Sequence, residues 1–282
     1  MRAIMGKIAT VAALLSIAAA GWGSMGSIIS SFRVSGYAEP YSLGIYAGPG
    51  FVSAIMNGSS QDYLYRYNKA GSLVATFPIN GTGAPRGGDK SHLGGGYLSL
   101  VDATSSRLFL IRSNGVVVSS FPVTAGGGGT LANVMWTGTY YEVAGFSSRG
   151  VFNRYRQGGA SAGSVSYNGW PAAMTSTGAV AYSRWANGRS GSYLIASSRS
   201  QAEPSCILNI SGSGSLVATF TMPPIAAAGG CCGPASVSSF GTTYWVNWGT
   251  SSDIVFYEVD IVGRNTTTLM PASLGKVKAI YR

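Results

Sequence analysis

Apolar and polar positions alternate in short runs separated by Gly, Asn, Ser and Thr, the pattern of strands and turns. In the clearest stretch Tyr97-Leu98-Ser99-Leu100-Val101 reads as a strand, Asp102 to Ser106 as a turn and Leu108-Phe109-Leu110-Ile111 as a second strand. Asn114-Gly115 reads as a tight hairpin, which needs positive φ at both centres, and Val116 to Phe121 as the strand that follows. The same order can be traced through Tyr63 to Tyr67, Tyr140 to Ala144 and Tyr244 to Trp248. Several runs are apolar throughout, as expected of strands covered on both faces. Leu43 to Tyr46, Leu131 to Trp136, Ala179 to Tyr182 and Ala235 to Val237, rich in small residues, are the candidates for strands crowded around an axis.

One phrase recurs: Gly26-Ser-Ile-Ile-Ser-Ser-Phe32, Gly71-Ser-Leu-Val-Ala-Thr-Phe77 and Gly214-Ser-Leu-Val-Ala-Thr-Phe220, with a looser copy from Gly115 to Phe121. The closing Phe residues at 32, 77 and 121 are 45 and 44 residues apart, the period of propeller blades. Ser-Ser pairs at 59, 105, 147, 197 and 251 mark five turns. The expectation is an all-β propeller of five full four-stranded blades, with an insertion in the fourth around Ala186 to Gly191 and Arg199 to Pro204. Its ring would be closed by pairing the N-terminal strand 27–32 with a C-terminal strand 276–281; a six-bladed ring is the alternative. The four Phe residues would fill equivalent gaps between blades.

The Gly-Ser-aliphatic-aliphatic-x-Thr/Ser-Phe strand and its period resemble the secreted bacterial β-propellers of the streptogramin-lyase and NHL-repeat group, over most of the chain and at the level of architecture. The resemblance implies a propeller and leaves function open, because the group includes lyases, hydrolases and plain binding modules. Lyases of this kind are expected to use His with acidic residues at a metal-linked centre. Here the only His is His92, and no ligand cluster accompanies it, so no metal and no cofactor is expected.

Arg2 and Lys7 precede an apolar run from Ile8 to Ala20, the layout of a signal peptide over residues 1–20, with a single domain from 21 to 282. A secreted, periplasmic or cell-surface location follows, with membrane contact only through that segment if it is retained. Without Arg2 and Lys7 the chain keeps 17 basic against 9 acidic residues. The Arg residues are scattered singly, which argues against nucleic acid and fits an acidic polysaccharide or a negatively charged cell surface. Gly-rich stretches lack the Lys-Ser or Lys-Thr of a nucleotide loop. Cys206 with Cys231 or Cys232 is a plausible staple between blades in an oxidising compartment.

Candidate site residues are few. His92 could act with Asp89 or Asp102 as an orienting carboxylate. Trp170, and Trp185 beside Arg184, fall near loops and could present flat faces to a sugar. No pair of acids is spaced for glycoside hydrolysis. The leading expectation is a monomeric, non-enzymatic propeller that binds a glycan, a peptide or an envelope protein through loops at one face. An extracellular lyase or hydrolase with an axial site including His92 is the rival, and a structural surface protein the third reading.

Overall fold

In a computed structural model, residues 25–34, 42–48, 50–56, 61–83, 85–94, 96–146, 148–175, 177–198, 200, 203–221, 232–234, 242–248 and 254–263 are described. Every regular element among them is a strand. The chain enters through β1 (Ile28–Val34) and then lays down four antiparallel sheets of consecutive strands. The first blade holds β2 (Ser42–Gly48), β3 (Phe51–Met56), β4 (Asp62–Asn68) and β5 (Leu73–Ile79). The second holds β6 (Pro85–Lys90), β7 (Tyr97–Asp102), β8 (Arg107–Arg112) and β9 (Val117–Pro122). The third is β10 (Leu131–Trp136), β11 (Tyr141–Gly145), β12 (Val151–Tyr155) and β13 (Ser161–Ser166). The fourth is β14 (Thr177–Ala186), β15 (Arg189–Ser198), β16 (Ser205–Asn209) and β17 (Ser215–Phe220).

The remaining strands, β18 (Cys232–Pro234), β19 (Thr242–Trp248) and β20 (Ile254–Asp260), form a sheet whose outer edge is β1. The expectation of five full blades plus a separate closing sheet is therefore corrected. Four blades are continuous in sequence, and a composite sheet joins the first described strand to the last three. In it Phe32 lies opposite Phe256 and Val34 opposite Ile254, so β1 pairs with β20. The expected partner, 276–281, lies outside the described residues, as do the proposed signal segment 1–20 and the inner-strand candidate 235–237. The first strands pack in the order β2, β6, β10, β14, β18, and β18 returns to β2, which makes a ring. Pairing β1 with β20 in one sheet leaves no inner strand with an open flank.

The repeated phrase is explained by contacts between blades. The four Phe residues fall in four different seams, with Phe220, Phe32, Phe121 and Phe77 each in its own apolar cluster. Each phrase begins with a Gly pressed on the Phe that ends the preceding blade. A Cβ on Gly71 would lie 2.9 Å from Phe32 Cβ, one on Gly26 2.4 Å from Phe220 Cβ, and one on Gly159 2.7 Å from Phe121 Cβ. Gly115 stands likewise 3.2 Å from Phe77 Cβ. These glycines have φ between 82° and 90°, where a side chain is also strained. In the third blade Tyr167 replaces Phe, and Gly214 approaches it and Asn168.

Cys206 is a buried free thiol, not half of a disulfide. Its side chain joins the seam between the third and fourth blades, with Sγ 3.8 Å from Met174 Sδ. Cys232 lies in the composite sheet on the other side of the fourth blade, so the fourth sheet stands between the two. Cys231 is outside the described residues. Burial pushes the Cys206 thiol up to about 12.

Candidate functional site

Because every sheet is antiparallel, the first strands of the blades all end at one face of the ring, called the front. The turns between third and outer strands lie there too. The back face carries the turns between second and third strands and the connections between blades.

This division separates the residues singled out from sequence. Asp89, His92, Arg184 and Trp185 come to the front. Asp102 and Trp170 are at the back and have structural partners. The Asp102 carboxylate accepts from the backbone N–H of Gly83 and Thr104 and from the Ser105 hydroxyl, each at 2.9 Å, so it holds a turn to the inter-blade connection. Trp170 donates Nε1–H to the Tyr167 carbonyl at 2.8 Å and packs against the third seam. A cavity of about 340 Å³ at the back, lined by Ala103, Ser106, 123–125 and 129–131, has no charged side chain in its lining.

The front cluster grows out of β6, whose sequence Pro-Arg-Gly-Gly-Asp-Lys has no large apolar residue. Gly87 lets β6 approach β10, since a Cβ there would stand 2.3 Å from the Ala132 carbonyl. That approach carries Asp89 to the axis. Its Oδ2 accepts from Trp136 N–H at 3.1 Å, while Oδ1 is buried with no hydrogen-bond partner. Burial raises its pKa; Lys90 and the nearby N–H groups of Trp136, Lys90 and Tyr182 pull the other way. Lys90 crosses the axis instead: Nζ donates to the Tyr182 carbonyl at 2.9 Å and lies 5.2 Å from that ring. Burial lowers its pKa, Asp89 opposes this, and Arg184 lowers it further.

His92 follows in the β6–β7 turn and meets the third blade. Its Nδ1 is 2.6 Å from the Tyr141 hydroxyl, which also accepts from the His92 backbone N–H at 3.0 Å and lies 3.1 Å from Ser91 Oγ. The contacts fit either neutral tautomer: Ser91 donating to Tyr141 and Tyr141 to a bare Nδ1, or Nδ1–H donating to Tyr141 and Tyr141 to Ser91. Burial holds its pKa below the usual value, which favours the neutral ring. The ring lies 5.7 Å from Trp136 and 5.7 Å from Tyr141, and those two rings are 4.7 Å apart. The expected orienting carboxylate is thus replaced by a phenol: Asp102 is at the other face, and Asp89 bonds the Trp136 backbone.

The insertion read around Ala186 to Gly191 in the fourth blade is the long β14–β15 hairpin. Asn187 (φ 50°) and Gly188 (φ 65°) turn it, and Asn187 N–H donates to the Ile261 carbonyl at 2.9 Å, tying its tip to the composite sheet. A bulge between Ser183 and Trp185, with the Ser183 hydroxyl donating to the Trp185 carbonyl at 2.6 Å, breaks the strand alternation. Arg184 and Trp185 are consequently both exposed, with Arg184 beside the Gly138 turn.

Sequence reasoning passed over Lys90, Tyr141 and Tyr182. The only available signal was a lysine beside Asp89 in a segment that does not read as a strand. Another front cation is structural: Arg66 lies over Phe51 (4.5 Å) and Phe77 (5.1 Å) and donates to the Ser113 carbonyl at 2.5 Å, bridging first and second blades.

The ring and its axial polar end define a β-propeller with a basic, aromatic front face. Among solved structures, the glutaminyl cyclase of Myxococcus xanthus superposes with a TM-score of 0.60 at 12% identity, covering 85% of this chain and 98% of that one. Virginiamycin B lyase from Staphylococcus aureus matches more loosely, with a TM-score of 0.41 and 12% identity over 82% of this chain and 74% of that one. At such identity the first likeness establishes the fold alone, and the second carries no further argument. No family model and no curated protein matches the chain. The resemblance to secreted propellers holds at the level of architecture.

Proposed function

We propose that the chain is an exported, non-enzymatic binding propeller that takes an acidic glycan, one bearing carboxylate or sulfate groups, at the axial mouth of the front face. The observation that carries this reading is that Lys90 and Arg184 lie near each other at the front, by the turn that follows Trp136 of the His92–Trp136 pair, with Trp185 exposed next to Arg184 in the chain. Two like charges held together at a partly buried site favour an anion, and aromatic faces suit sugar rings. The rigid ring supplies the positions without internal motion. Acid–base chemistry finds less support, because His92 has a phenol, and among the described residues no carboxylate, as its hydrogen-bond partner.

The test is isothermal titration of the secreted chain with a sulfated or uronic-acid oligosaccharide and with a neutral one of equal length. Acidic sugar should bind, weaken with salt, and be lost in Arg184→Ala and Trp185→Ala, whose side chains are both exposed, with melting temperatures unchanged. Equal response to the neutral sugar, or turnover of either, would overturn the proposal.

A further inference from the structure

The exposed apolar side chains are not scattered. Among the described residues every large hydrophobic side chain that is exposed belongs to the front, either in a front turn (Leu93), on the long hairpin (Trp185) or at the beginning of an outer strand. The outer strands present Ile28 and Ile29, Leu73 and Val74, Val118, and Leu216 at matching places, with Val116 beside them, at exposures from 37% to 60%. Val116 apart, which stands at the Ser position, these are the aliphatic positions of the repeated phrase. The blade fold does not need them. In the third blade the outer strand begins Ser161-Ala162-Gly163 and still pairs with β12.

Charge leans the same way: Lys69, which pairs with Glu258 at 3.7 Å, and Arg112, Arg156, Arg184 and Arg189 are exposed at the front, against Arg33 and Arg149 towards the back. No described acid is exposed: Asp62, Asp89, Asp102, Glu142 and Asp260 are buried, and Glu203 and Glu258 are half-buried. The acids are engaged within the fold, and the surface they leave is basic.

We propose that the front face docks on a lipid surface bearing anionic head groups, its aliphatic rim entering the head-group region while the cations pair with lipid phosphates. The proposal rests on the reading of the front as the binding face, not on the identity of the axial ligand. Apolar side chains combined with lysine and arginine on one surface are what interfacial attachment requires. A second copy of the chain suits it less. The aliphatic positions sit on separate blades instead of forming one continuous patch, and two basic faces repel.

The experiment is co-sedimentation of the full chain with phosphatidylcholine vesicles, with and without phosphatidylglycerol, alongside titration with the soluble acidic oligosaccharide. The wild type should bind only the anionic vesicles. Leu73→Ser/Val74→Ser, which changes exposed positions and should leave the melting temperature unaltered, should weaken that binding roughly ten-fold. High salt should weaken it as well. Failure of the wild type to bind vesicles, equal binding by the variant, or a wild-type oligomer that the variant dissolves would each overturn the proposal. A wild type that takes oligosaccharide and ignores vesicles defeats the lipid proposal and spares the axial site; the opposite result spares the lipid proposal alone.

Discussion

Replacing Gly71 with Ala tests whether the Gly–Phe contact between blades is what selects the repeated phrase. Gly71 has φ 86°, and its added Cβ would stand 2.9 Å from both Cβ and Cδ2 of Phe32, across the joint between the composite sheet and the first blade. Phe32 Cβ is fixed by its own backbone, so rotation of the ring cannot relieve the clash. The left-handed conformation costs a side chain about 1–2 kcal/mol, and forcing an extra carbon into a packed seam about 1–3 kcal/mol more. The total, about 2–5 kcal/mol, corresponds in a domain of this size to a fall in melting temperature of roughly 4–20 °C. Gly50→Ala is the control: φ is 77° but nothing lies within 4 Å of the added carbon, so only the conformational cost applies. Thermal unfolding followed by circular dichroism, with Phe32→Ala and the double variant, completes a cycle. The double variant should recover at least about 1 kcal/mol relative to the sum of the singles, because removing the ring makes room for the carbon. Equal melting temperatures for the Gly71 and Gly50 variants, together with additivity, would refute the proposed seam.

Tyr167→Phe should cost about 1.5–3 kcal/mol in urea unfolding, since the hydroxyl donates at 3.0 Å to each oxygen of the fully buried Glu142 and only Arg154, at 2.9 Å, would remain. The single imidazole of an untagged chain can be followed by proton NMR, and His92 should titrate below about 6.5. The unfolded chain then binds its proton first, so this site's contribution to stability is complete above the unfolded pKa and falls as pH drops through it. A midpoint above that value would imply a carboxylate partner and revive acid–base chemistry. Iodoacetamide at pH 8 should leave Cys206 unmodified in the folded protein and label it after denaturation without reductant; failure to label the denatured chain would mean a disulfide.

Much of the fold was legible because it repeats. The Gly-to-Phe phrase and the apolar strand runs come from local turn chemistry and two-sided burial, and these act within one blade or between neighbours; Asn114-Gly115 does turn a hairpin, but only Gly115 (φ 82°) takes positive φ, because the turn runs from Arg112 to Val116 instead of closing over two residues. The fourth-blade insertion was legible for the same reason: Asn187-Gly188 advertises a hairpin in its own sequence. The site was half legible. His92, Asp89, Arg184 and Trp185 were named and do share a face, but Asp102 and Trp170 were named with them and lie at the back. Nothing local tells a turn at one end of a blade from a turn at the other. The axial strand β6 was missed because crowding around the axis selects Gly and polar residues, which erases the hydrophobic signal by which strands are found.

The sequence by itself therefore determined the unit, a four-stranded antiparallel sheet of about 45 residues with Gly at one joint and Phe at the next. Only the tertiary structure decided how the ring shuts: β1 could pair with any exposed edge, and the geometry of closure places it beside β20. It also decided the chemistry of the front face. There Lys90, Asp89, His92 and Tyr141, drawn from two blades, meet because the first strands converge on one axis, and convergence is a property of the closed ring that no single blade carries.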